Sequence, residues 1–203
     1  SVVSQAADQK PTFYSLWIGN NDVLGYATGG GVGVDHNETG NVAAATYASG
    51  DISNVTVVKN SIAGIAAAMK AGGAKGGVIA NIPSVTAIPY FTTVPATPIS
   101  GLTDVQVTAL MSAQAYGRYN AGLGQAKAAG LLSDAEYQQR LIKFTAGTAV
   151  NGAVILDKDL TNLAALGLPN YRQTTSKDLI VLTALSLLRQ GVGTQTPLED
   201  KYV

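Results

Sequence analysis

The segment TFYSLWI, residues 12–18, constrains the fold more than any other part of the chain. Phe13, Tyr14, Leu16, Trp17 and Ile18 are β-formers, and the alternation of a strand places apolar groups on both of its faces. Such a strand suits the interior of a parallel sheet covered by helices, because a wet face would expose half of these side chains. A parallel neighbour needs a crossover, and the chain supplies one. Val58, Ile62, Ile65 and Met69 are spaced by four, three and four residues, which makes a single apolar stripe on a helix over 55–71. Asn54 can cap its start, and Gly72-Gly73 can stop it. GVIANIP (77–83) is a second short apolar run, closed by Pro83. Strand, helix, strand is a βαβ unit, and the expected class is α/β.

The 203 residues are 46% hydrophobic and 13% charged, ample apolar material for a core. Against a prior of roughly 150 residues per domain, one domain with insertions is expected. The 13 basic and 13 acidic side chains cancel without a Lys/Arg cluster, so no footprint for nucleic acid appears. Cysteine is absent, which excludes disulfides, thiolate metal sites and a cysteine nucleophile. The most apolar segments, Ile62–Met69 and Leu179–Leu188, fall far short of the ~20 residues that span a bilayer.

Elsewhere the signals are local. Residues 19–53 carry many Gly, Asn, Asp and Thr and read as a long loop, with a short helix around 42–48. Residues 83–102, with Pro83, Pro89, Pro95 and Pro98, read as irregular. Thr103-Asp-Val-Gln106 is a capping-box pattern opening a helix over about 104–129, which Gly117, Gly122 and Gly124 weaken. Ser133-Asp-Ala-Glu136 opens another helix to about Lys143. Asn151-Gly152 lies between β-prone runs and predicts a hairpin. Helices are also predicted over 159–166, ending at Gly167, and from Ser176/Asp178 to Gln190.

The strand at 12–18 delivers Gly19-Asn20-Asn21-Asp22 to its carboxyl end, where open α/β sheets bind ligands. A carboxamide held there can donate to a negative oxygen forming in a transition state. Gly19 lets the backbone turn sharply and lets substrate approach. The same residues would also serve an Asx-turn, in which the side chains bond their own backbone.

LWIGNNDVLGYA resembles the Gly-x-Asn-Asp block of the SGNH (GDSL) hydrolase family, which likewise follows a hydrophobic strand. By position, Gly19 matches the Gly, Asn21 the oxyanion-hole Asn, and Asp22 the Asp that supports the loop. GVIANIPSVTAIPYF resembles the family's next strand and proline-bearing loop, and AYGRYNAGL (115–123) the helix that follows. The likeness covers the first 125 or so residues and is strongest to bacterial GDSL-like lipases, in which LPNYRQTTSKDLIVLTALSLL also occurs. It implies a three-layer αβα, flavodoxin-like fold with a parallel sheet. Residues 1–130 would be its core, and 131–203 a helical and β-hairpin insertion. It implies a serine ester hydrolase acting on a small acyl-ester or lipid substrate without a cofactor, in the cell envelope or secreted.

The family's Gly-Asp-Ser nucleophile block and Asp-x-x-His base block have no match in the chain. SGDISN (49–54) is interrupted by Ile52 and reads as the start of the 55–71 helix. The chain opens on Ser1, and the expectation is therefore the central part of a longer enzyme, inactive alone, whose N- and C-terminal parts carry nucleophile and base. The alternative is a non-catalytic glycan- or peptide-binding module on the same scaffold.

Other constellations are weaker. His36, the only histidine, lies in VDHNETG and reads as a solvated loop residue; a cation site with Asp22, Asp35, Glu38 and Asp51 follows no known ligand spacing. TGGGVGV (28–34) and AGGAKGG (71–77) fit neither phosphate-binding glycine pattern. Tyr26, Tyr47, Tyr90 and Phe91 fall in loops and could line a substrate pocket or plug the loops; Tyr26, Tyr90 and Phe91 are the candidate substrate-binding residues.

Overall fold

A computed structural model describes residues 1–203 and shows a mixed α/β chain. Two compact units divide at Val85–Thr86, rather than near residue 130, where core and insertion were expected to part.

In the first unit, α1 (Val2–Asp8) is capped by the Ser1 hydroxyl. β1 (Phe13–Leu16) follows, and then α2 (Asn20–Thr28), α3 (His36–Thr39), α4 (Val55–Ala71) and β2 (Gly76–Ile79). The expected βαβ unit is present: β1 and β2 pair in parallel, with Phe13 opposite Gly76 and Leu16 opposite Ile79. Asn54 accepts from the Thr56 N–H and caps α4, and the chain leaves that helix through Gly72 and Gly73, the latter at φ 117°. α1 packs against α4. The sheet has only these two strands. Phe13 (60%), Val78 (53%) and Ile79 (51%) remain exposed on it, as does Trp17 (62%) just past the end of β1.

The supposed long loop at 19–53 contains more helix than its composition suggested. α2 begins at once after β1, and Gly25 allows this by having no side chain: a Cβ there would overlap the Ser49 carbonyl oxygen. α2 stops at the glycine cluster, where Gly30 and Gly31 take positive φ. A single 3₁₀ turn, Ala44–Thr46, stands where the 42–48 helix was predicted.

The second unit holds α5 (Pro89–Thr92), α6 (Asp104–Leu110), α7 (Tyr116–Ala128), α8 (Asp134–Arg140), β3 (Val154–Leu156), β4 (Tyr171–Gln173) and α9 (Leu185–Arg189). Both capping signals work. Thr103 and Gln106 exchange both bonds of a capping box. Ser133 accepts from the Glu136 N–H, while the Glu136 carboxylate turns instead to Thr161 and Arg140. The predicted 104–129 helix is broken at Met111–Ala115, not at its glycines.

The hairpin expected at Asn151-Gly152 does not form. Asn151 pairs with Ile99 through two backbone hydrogen bonds, and its carboxamide bonds the Thr145 N–H and C=O. Gly152 is buried, and its lack of a Cβ lets the Thr174 carbonyl lie where one would sit. β3 pairs antiparallel with β4 instead. The 159–166 helix shrinks to a 3₁₀ turn, Ala164–Leu166, with Gly167 left-handed at its end as read. The 178–190 helix starts only at Leu182, as a 3₁₀ turn leading into α9, because the Val181 N–H is taken by the Tyr202 carbonyl.

The core of this unit centres on Leu123, Ile142, Ala153 and Val154, none of them exposed. Arg140 is fully buried among them and donates to Glu136, the Tyr119 hydroxyl and the Thr161 and Pro169 carbonyls. Burial opposes ionisation of Glu136, but hydrogen bonds from Thr161 and Arg140 outweigh it and hold its carboxyl below the usual range. No helix is long and apolar enough to cross a membrane.

Candidate functional site

The end of β1 is shaped by Gly19. Its φ of 98° is left-handed, and a Cβ there would lie 2.8 Å from Ile82 Cδ1. Gly19 is also the N-cap of α2 and offers that helix no side-chain bond. Asn20, Asn21 and Asp22 therefore form the first turn of a helix and not the loop that the sequence suggested.

Within this turn the three side chains differ. Asn21 is exposed, and its carboxamide makes no hydrogen bond, so it is not engaged in an Asx-turn. Asp22 accepts a 2.5 Å hydrogen bond from the Ser53 hydroxyl, one residue before the Asn54 cap of α4. That bond ties the start of α2 to the start of α4 across 31 residues of sequence. Asn20 Oδ1 is buried without a hydrogen-bond partner, an arrangement that costs free energy.

A second cluster surrounds the histidine. His36 is buried, not solvated. Its Nε2 lies 2.9 Å from Asp51 Oδ2, its Nδ1 lies 3.3 Å from Thr39 Oγ1, and its ring stacks on Tyr47 at 3.8 Å. Asp51 also accepts from the Val34 and Ala48 N–H groups. These two backbone donors, and then His36, hold its carboxyl down at about 2. Asp35 caps α3 through the Asn37 N–H. Both imidazole nitrogens and the carboxylates of Asp22, Asp35 and Asp51 are thus engaged in hydrogen bonds. No group of three His, Asp or Glu side chains converges as a cation site would.

The candidate aromatics are scattered in kind. Tyr26 is half-buried, and its ring lies beside Gly31. In the second unit Phe91 is buried and not an exposed loop residue, with Tyr90 edge-on to it and 3.3 Å from the Thr183 hydroxyl. Tyr47 is spent on the His36 stack. Sequence reading missed Ser53 and Asp51 as partners, because nothing in SGDISN marks which residue its side chains will meet.

Compared with known proteins, the chain matches no family model, no curated protein and no solved structure.

Proposed function

We propose that the chain is the central part of a serine ester hydrolase of the SGNH (GDSL) type, in which Asn21 donates to the oxyanion. The observation that carries this reading is the Asn21 carboxamide, exposed and unbonded in the turn beyond the carboxyl end of β1. Gly19 makes that turn possible, and the Asp22–Ser53 bond steadies it. A carboxamide without a competing partner is free to donate to the oxyanion as charge develops.

The exposed faces of β1 and β2 support the fold side of the proposal. Parallel strands are normally buried on both faces, and a three-layer αβα sheet would cover Phe13, Trp17, Val78 and Ile79. In this reading, sequence flanking the chain supplies the covering elements, the nucleophilic serine and the histidine base. The serine would attack an ester carbonyl while the histidine takes its proton. Asn21 would hold the tetrahedral oxyanion, on the turn that Gly19 allows. The substrate class is a small acyl ester or lipid, and the location is the cell envelope or outside the cell.

Short p-nitrophenyl esters test the proposal. The chain alone should turn them over negligibly, and a form extended at both ends by its flanking sequence should hydrolyse them. In the extended form Asn21→Ala should lower kcat by ~10²–10³. An extended form whose rate ignores Asn21→Ala sinks the oxyanion role. An extended form that binds glycans or peptides without turnover points to the non-catalytic module.

A further inference from the structure

The second unit carries a cleft of about 840 Å³ built entirely from its own residues. Small-molecule sites run to roughly 300–1,000 Å³. α7 lines one side and the segment Leu166–Pro169 another. Gly122 lets them approach, since a Cβ there would lie 2.6 Å from a Leu168 methyl.

The lining divides by chemistry. Leu110, Ala121, Leu166, Leu168 and Pro169 give an apolar body. Tyr116 and Tyr119 add ring surface but no free hydroxyl, because they donate to the Thr194 and Tyr171 carbonyls. The donors left are the Arg118 guanidinium and the carboxamides of Gln114, Gln125 and Gln195. No Asp or Glu lines the cleft. Arg118 is exposed and has no ion-pair or hydrogen-bond partner for its side chain; Lys143, Lys177 and Arg189 of the same unit are likewise unpaired, but of these only Arg118 lines the cleft. Ala115 and Tyr116, at the positive end of α7, also face the cleft.

We propose that this cleft binds a small organic carboxylate with an apolar body, its head on Arg118 and its hydrocarbon along the Leu110–Leu168 wall. One unpaired cation matches a single negative charge; a polyphosphate would call for several. Leu110, Leu166, Leu168 and Pro169 offer an apolar wall for a hydrocarbon body, and the Gln carboxamides lie with Arg118 to meet a polar head. This site is independent of the ester-hydrolase reading and stands whatever Asn21→Ala does.

Sodium octanoate, its neutral isostere octanamide, and acetate provide the test, followed by amide NMR shifts and calorimetry on the 203-residue chain. Octanoate should saturably shift amides in α7 and at Leu166–Pro169, and bind at least tenfold more tightly than octanamide or acetate. Arg118→Gln should weaken octanoate about tenfold or more and leave octanamide unchanged. Ala121→Trp, which fills the cleft from an exposed position, should remove both; unchanged spectra elsewhere verify folding of each variant. Equal binding of octanoate and octanamide, shifts outside the cleft, no saturable binding, or an octanoate affinity untouched by Arg118→Gln would each overturn the proposal.

Discussion

The two units solve the problem of cohesion differently. Ser1–Val85 buries only three hydrophobic side chains, Leu16, Met69 and Ala74, whereas Thr86–Val203 buries twenty-one. The first unit is not short of apolar residues; it leaves Phe13, Trp17, Val78 and Ile79 in water. Its order comes from polar ties and close backbone approaches: Asp22 to Ser53, His36 to Asp51, and Gly25 and Gly33 against the carbonyls of Ser49 and Gly50. The second unit closes a core and can even bury Arg140 within it, because four acceptors meet that guanidinium. A sheet whose Phe13 and Val78 face lies in water, with only Leu16 buried on the other, is a half-built core, and the Asp22–Ser53 bond adds a polar tie to the Asn21 turn.

The largest effect expected is in the closed core. Arg140→Ala should destabilise the second unit by about 3–5 kcal/mol, because a fully buried side chain is lost and Glu136, the Tyr119 hydroxyl and the Thr161 and Pro169 carbonyls each lose a donor. Urea unfolding followed by hydrogen exchange over 116–173 would measure it; a loss under 1 kcal/mol would mean that the core is not organised around this side chain. Leu123→Ala, at 0% exposure, should cost about 2–5 kcal/mol in the same assay.

The open sheet gives the next contrast. Amides of β1 and β2 should exchange faster than those of β3, since Leu16 is the one buried side chain of the parallel pair while Val154 and Ile155 of β3 are fully buried. Equal protection would remove the distinction between the units. Gly77→Ala should further weaken this sheet by about 1–3 kcal/mol, because the Tyr14 ring already occupies the Cβ position.

The smallest effects are electrostatic. The Asp51 pKa is lower in the folded chain, so its carboxylate stabilises the fold at neutral pH. That contribution should be complete above the ordinary carboxylate range and lost as pH falls from about 4 toward 2. Loop amides of 34–54 should report the loss, and Asp51→Asn should abolish its pH dependence. Asp134→Asn, which removes an exposed partner of Lys127, should leave the unfolding midpoint unchanged within error, because solvent screens this pair.

Features with local causes were legible in the chain itself. The stripe Val58–Met69 between Asn54 and Gly72 gave α4, and Thr103 with Gln106 gave a complete capping box. Each depends on groups within four residues of one another, so any context that permits a helix produces them. The Gly19–Asp22 turn was half legible: its position after β1 followed from the apolar run, but its helical form did not, since α2 needs the Gly25–Ser49 approach. Asn151-Gly152 carries strong turn chemistry and still lies extended, because Ile99 and Thr145 satisfy its backbone and side chain.

Composition and spacing by themselves determined the parallel β1–α4–β2 pairing, the helix caps and the placement of a carboxamide beyond a strand's end. Only the tertiary structure decided that His36 is buried against Asp51, that Asp22 meets Ser53, and that Arg118 faces a cleft without a counter-charge. The physical reason is range: caps and stripes are energies between neighbours in sequence, whereas a hydrogen-bond partner 31 residues away exists only once the chain has closed around it.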